Sequence, residues 1–113
     1  MMKPIPKHLL IHTVQYAEYT GTSGGWGGTG GSYKPAVAYK QVRMEPSTKL
    51  LTDSTGNSVS AKAVLFIDMV NSDYNNNIPK EKSKITFEGI TFIVGQVDYL
   101  YARTLHHLEV YLV

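Results

Sequence analysis

The sequence predicts an all-β protein: a small antiparallel β-barrel or two-sheet sandwich that carries one long Gly-rich loop. Short runs rich in Thr, Val, Ile, Tyr and Phe recur along the chain, punctuated by turn residues. About six such runs follow one another with no convincing helical period between them. Seven of the 13 residues from 20 to 32 are glycine. A chain of 113 residues has room for one domain, spanning 1–113, whose single core buries about two-thirds of the unfolded surface. Closing the sheet would also remove exposed strand edges.

The first strand is expected over residues 8–19, with Val14 and Tyr16 alternating with Thr13 and Gln15. Its start, Leu9-Leu10-Ile11, could equally open a helix. The second strand, residues 36–45, sets Ala38, Val42 and Met44 on one face and Tyr39, Gln41, Arg43 and Glu45 on the other. Pro46 ends it, because proline has no N–H to donate to a ladder. A short segment at 49–52 leads into Asp53-Ser54-Thr55-Gly56-Asn57, whose composition is that of a turn. The third strand, residues 59–67, alternates Val59, Ala61, Ala63, Leu65 and Ile67 against Ser60 and Lys62.

Residues 71–79 are polar and asparagine-rich and read as an exposed loop. Ile85-Thr86-Phe87 and Ile90-Thr91-Phe92 flank Glu88-Gly89, which predicts a tight hairpin. The chain then runs through Val94 and Val97 to Tyr101. The last strand places Leu108, Val110 and Leu112 inward and His107, Glu109 and Tyr111 outward, so the C-terminus is anchored.

The segment 20–32 is costly to order and poor in core-forming side chains. Doubled back on itself it reaches about 20 Å, at roughly 3.3 Å per extended residue. Trp26 stands in its middle, between Gly24-Gly25 and Gly27-Gly28, and Tyr33 follows it. An aromatic at the tip of such a loop suggests a contact anchor; a tip that orders nothing is the plainer alternative.

Composition excludes several function classes. The formal net charge is only +2, from 11 basic and 9 acidic residues, whereas a dedicated nucleic-acid binder concentrates far more positive charge on one face. The local concentration Lys80, Lys82, Lys84 would share a face on entering a strand and offers a possible basic surface. A solvated, lysine-protected edge explains it more cheaply. No cysteine is present, which removes disulfides, thiolate catalysis and cysteine-based metal sites. No run approaches the ~18 apolar residues that would span a bilayer, and Leu9-Leu10-Ile11 is too short for a secretory segment. A protein assembled and used in the cytoplasm, without a membrane partner, is expected.

Several motifs that suggest chemistry lack the context it needs. Gly25-Trp26-Gly27-Gly28-Thr29-Gly30 has dinucleotide-fingerprint spacing, but Tyr33-Lys34-Pro35 follows where a helix N-terminus must meet the pyrophosphate. Gly21-Thr22-Ser23-Gly24-Gly25 has nucleophile-elbow spacing, without the strand-to-helix turn that exposes the serine. Asp73-Tyr74-Asn75-Asn76-Asn77 begins like a calcium loop, then places Ile78 where glycine is needed and Lys84 where glutamate is needed. His8 and His12 in a strand would lie about 13 Å apart. His106 and His107 would point to opposite faces. Edge or interface histidines are the expected reading. With no paired carboxylates set up for acid–base work, the sequence implies no catalytic residue, no cofactor and no metal site.

Several segments, taken in order, resemble the small minor capsid protein family of phages and prophages of Gram-positive hosts. They are Ile5-Pro6-Lys7-His8-Leu9-Leu10, Val42-Arg43-Met44-Glu45-Pro46-Ser47, the stretch AKAVLFID at 61–68, Phe87-Glu88-Gly89, and Leu105-His106-His107-Leu108-Glu109-Val110. The resemblance implies a non-enzymatic virion protein at the head–tail interface, similar to head-completion or stopper proteins, which form rings under the portal and adaptor. It further implies as partners other copies of the chain in a ring oligomer, the portal or adaptor, tail-side connector proteins, and non-specific contact with packaged DNA. In such a ring the segment 20–32 would line or close the channel, or dock in a neighbour, with Trp26 as anchor. A different class, an oligonucleotide- or ligand-binding barrel, would use Tyr99 and Tyr101 as stacking platforms beside Lys80, Lys82 and Lys84.

Overall fold

A computed structural model describes residues 3–21, 32–52 and 55–113. Among them, ten strands follow a short 3-10 turn at Lys7–Leu9: β1 His12–Ala17, β2 Tyr19–Gly21, β3 Ser32–Tyr33, β4 Val37–Pro46, β5 Leu50–Thr52, β6 Ser58–Ser60, β7 Ala63–Asp68, β8 Lys84–Phe87, β9 Ile90–Tyr101 and β10 Leu105–Leu112. Six of them close into an antiparallel barrel in the order β1-β4-β7-β10-β9-β8, and β2-β3 and β5-β6 form two small sheets beside it. Of the two all-β architectures the sequence allowed, the barrel is the one formed.

Alternation sets the core. Leu108, Val110 and Leu112 of β10 are fully buried, as are Leu65 and Ile67 of β7, Val14 and Tyr16 of β1, and Ile85 of β8. The Glu88-Gly89 hairpin is as expected: β8 and β9 pair Phe87 with Ile90. Both turn residues have positive φ, 51° and 79°, the primed turn that matches strand twist.

Four expectations need correction. The first strand does not begin at His8, because residues 7–9 turn as a 3-10 element and Leu10 alone of that stretch is buried. It also stops at Ala17, and Tyr19–Gly21 joins a separate sheet. The third strand is two strands. At the break, Lys62 donates its amide to the Leu112 carbonyl, so β6 pairs with β5 while β7 enters the barrel. The loop at 71–79 is not simply exposed: Ser72 is buried, and Lys40 and Asp73 exchange backbone hydrogen bonds of 2.8 and 2.9 Å.

The fourth correction concerns Tyr39, expected on the outer face and fully buried instead. His12 pairs with Val42 but Val14 with Tyr39, so β4 spends one extra residue there. Gln41 takes φ of 54°, and this bulge turns both Tyr39 and Val42 inward. Gln41 is itself exposed, so substitution there isolates the backbone term. Gln41→Val is expected to cost about 1–2 kcal/mol in urea unfolding while Gln41→Gly costs nothing, because only the β-branched residue resists the left-handed region.

Candidate functional site

The glycine-rich segment leaves and re-enters the described structure through β2 and β3, and the foot of that hairpin is a heavily braced polar cluster. Tyr19 pairs with Tyr33 and Gly21 with Ser32. The amide of Lys34 donates to the Glu18 carbonyl at 2.9 Å, and the Thr20 hydroxyl to the Ser32 carbonyl at 3.0 Å. The Tyr19 and Tyr33 rings meet edge to face, 5.7 Å between centroids.

Cations cover these rings. Lys84 Nζ stands 4.2 Å from the Tyr33 centroid and Lys82 Nζ 5.8 Å from that of Tyr19, within the range of cation–π attraction. The Tyr33 hydroxyl donates to the Lys82 carbonyl at 3.4 Å. Glu18, with a side chain only 12% exposed, receives Lys34 Nζ at 3.0 Å and Lys80 Nζ at 3.5 Å. The hydrogen bond from Lys34 holds the Glu18 carboxyl below its ordinary value; partial burial opposes this, and the charges of Lys34 and Lys80 reinforce it.

Buried hydroxyls tie the foot to the core. Ser83, fully buried just before β8, accepts the Tyr19 amide at 2.9 Å and lies 3.2 Å from the Tyr16 hydroxyl. That hydroxyl accepts the Lys80 amide at 3.0 Å. The Tyr16 ring stacks on Tyr39 at 4.9 Å. The hairpin is therefore fastened to the barrel wall from inside and clamped by charge from outside.

Of the residues singled out from sequence, Tyr33 is part of this foot, while Trp26, Gly24, Gly25, Gly27 and Gly28 lie outside the described residues. Lys80, Lys82 and Lys84 do converge, but not as one face of a strand. Lys82 has φ of 73°, which breaks the alternation, and each lysine is engaged by Glu18 or a tyrosine ring. Tyr99 and Tyr101 are exposed but lie elsewhere. Lys84 pairs with Ile93, and the two tyrosines come six and eight residues later on β9, roughly 20 Å or more along the strand. Sequence reasoning missed Glu18, Tyr19, Lys34 and Ser83. A signal was present: a Glu-Tyr pair before the glycine stretch and a Tyr-Lys pair after it are mirror images, as a braced hairpin requires.

The expected separation of His106 and His107 also needs correction. β10 is irregular between Leu105 and His107, and the two rings meet at 5.0 Å with Nδ1 atoms 2.8 Å apart. His12 is apart from them, its Nδ1 accepting the Met44 amide at 2.9 Å. Among the described residues no group of three or more His, Asp or Glu is placed to hold a metal.

The Glu18 clamp makes a stability prediction with a sign. A carboxyl whose folded value is lowered stabilises the fold above the ordinary carboxylate range, and the contribution is lost as pH falls through the lowered value. Glu18→Gln is expected to lower stability by at most about 1 kcal/mol near neutrality, since the partner lysines are mostly solvated. Thermal melts of the two proteins should converge in acid.

Barrel closure and a clamped hairpin foot define, among the described residues, a small β-barrel scaffold with a braced stem at either end of the glycine-rich segment. A family model described as minor capsid protein matches residues 6–112, and the chain belongs to that family. It is a structural component of a phage virion. No curated protein and no solved structure matches the chain.

Proposed function

We propose that the protein is a non-enzymatic connector at the phage head–tail junction, one subunit of a stopper-like ring that helps retain packaged DNA and attach the tail. The observation that supports this reading is the hairpin foot. A closed barrel spends four lysines, one glutamate and two tyrosines on fixing the two ends of one glycine-rich insertion. A loop with no role would not require a rigid stem. In the ring, that loop meets its symmetry mates or a neighbour, with Trp26 as the anchoring aromatic. Portal or adaptor and tail-side proteins flank the barrel, and DNA passes without sequence readout.

Deleting the gene from its phage and imaging the lysate tests the location. Heads that have lost DNA beside complete, unattached tails are the expected result, and normal infectious particles would overturn it. Removing only residues 24–31 tests the loop. Particles should still incorporate the protein but leak DNA, with titre down by about tenfold or more; unchanged assembly and DNA retention would rule the loop out.

A further inference from the structure

Two surface features lie at opposite ends of β9, and each complements the other. Past Tyr101, the β9–β10 turn, the N-terminal segment and the turn after β7 enclose a groove of about 460 Å³. It is lined by Pro4, Val70, Ala102 and Leu105, with Arg103 and His106 beside them. Val70 is 72% exposed yet firmly held, because its amide donates to Asp68 Oδ2 at 3.0 Å. The wall at Pro4 is pinned as well. The Ile5 amide donates to Asp68 Oδ1 at 2.9 Å, the Asn71 side-chain amide to the Ile5 carbonyl at 2.8 Å, and His106 Nε2 to the Lys3 carbonyl at 2.6 Å. The apolar walls are thus fixed before anything enters, which removes part of the ordering cost of binding.

At the other end, the β8–β9 hairpin turns at Glu88-Gly89, and Ile90 beside it is 60% exposed. Positive φ at both turn residues, the Phe87–Ile90 pair and a 3.1 Å contact between the Thr86 and Thr91 hydroxyls hold this tip in one shape. Strand β9 is 12 residues long, roughly 30 Å or more at the usual rise per residue, so tip and groove of one subunit cannot meet. Their charges match. Among the described residues neither Glu88 nor Arg103 has an ion-pair partner. Asp68, the carboxylate that holds the groove walls, is fully buried and occupied by three backbone amides. The groove therefore presents a cation beside an apolar surface, and the tip presents an anion beside an apolar side chain.

We infer that copies of this chain join head to tail: the Glu88-Gly89-Ile90 tip of one subunit enters the groove of the next, with Ile90 against Pro4, Val70 and Leu105 and Glu88 paired with Arg103. The inference rests on the ring reading above and deepens it by naming the contact between neighbouring subunits. Tip and groove are different surfaces, so the contact is heterologous. Each added subunit keeps a free tip or a free groove, and addition continues until a ring closes. The opposite charges decide which end meets which and disfavour tip-to-tip and groove-to-groove pairing.

The chain has no cysteine, which makes the contact readable by cross-linking. Thr91→Cys beside Ile90 and Thr104→Cys in the groove leave Glu88, Ile90, Val70 and Arg103 in place. The double variant is treated with a short bismaleimide, both as concentrated purified protein and in phage particles. A ladder of dimers, trimers and larger species is expected, whereas each single-cysteine variant gives dimers at most. In the double-cysteine background, Arg103→Glu or Glu88→Lys alone should reduce the ladder about tenfold or more, and the two together should restore it. No ladder in either setting would overturn the inference. So would a ladder that single charge reversal leaves unchanged, or one that the double reversal fails to restore. The gene deletion reads the junction role separately: infectious particles without the gene would remove that role, yet leave a charge-dependent ladder of the purified protein standing.

Discussion

Replacing Asp68 by alanine is expected to cost about 3–5 kcal/mol and to lower the melting temperature by roughly 15 °C. Asp68 is fully buried at the end of β7, and its carboxylate receives three backbone amides. Oδ1 takes Ile5 at 2.9 Å, and Oδ2 takes Val70 at 3.0 Å and Asn71 at 2.7 Å. Its own amide donates to Ser72 Oγ at 2.9 Å. One side chain thus fastens the N-terminal segment and turns the chain out of β7. Removing it leaves three amides, in part-buried hydrogen bonds, without their acceptor. Asp68→Asn keeps one carbonyl oxygen and should lose about half as much. Urea titrations of the three proteins check the order; equal stability of Asp68→Ala and wild type would show that the three amides find other partners.

Tyr39→Ala is expected to cost about 3–5 kcal/mol, and Tyr39→Phe about 1–2 kcal/mol. The ring is fully buried against Tyr16, and its hydroxyl donates to the Asn77 carbonyl at 2.6 Å. Burial, then the neighbouring Tyr16 and Glu18, push the phenol far above its ordinary value, so it remains a donor at every accessible pH. The alanine variant loses the cavity and transfer terms together, whereas the phenylalanine variant loses only the tie to the loop at 71–79. Amide exchange distinguishes them: Tyr39→Phe should raise exchange at Asn77, whose amide donates to the Tyr74 carbonyl, and leave β10 protected. Loss of protection throughout the barrel would mean instead that the loop is integral to the core.

Most of the barrel was legible from alternation and turn chemistry. β10 reads inward and outward as Leu108, Val110 and Leu112 against His107, Glu109 and Tyr111, because it pairs on both sides over its length. Glu88-Gly89 declares its turn through a glycine where positive φ is required. What was illegible comes from single residues that break a period of two. Gln41 has no composition signal for a left-handed backbone, yet it decides that Tyr39 is core. The irregularity at His106 likewise brings together two rings that strict alternation would separate. At the hairpin foot, Ser83 acts through Tyr16 and Tyr19, 67 and 64 residues distant, and Lys80 reaches Glu18 across 62, pairings that no local pattern encodes. Trp26 was chosen for its setting among glycines, and that setting concerns residues beyond those described.

The order of strands around the barrel has a kinetic consequence. β1 lies next to β8, so Tyr16 pairs with Ile85 across most of the chain, and β4 must wait for β7. Within the barrel, among the described strands, β8-β9-β10 is a meander of sequence neighbours, whereas β7-β10 and β1-β8 join strands distant in the chain. Closure of long loops precedes the contacts that reward it, and folding is therefore expected on the millisecond-to-second scale typical of barrels dominated by distant pairings. Until β1 docks, it and β8 each expose an unpaired edge. A subunit made in excess of its particle should accordingly be most prone to aggregate while it is folding, before those edges meet.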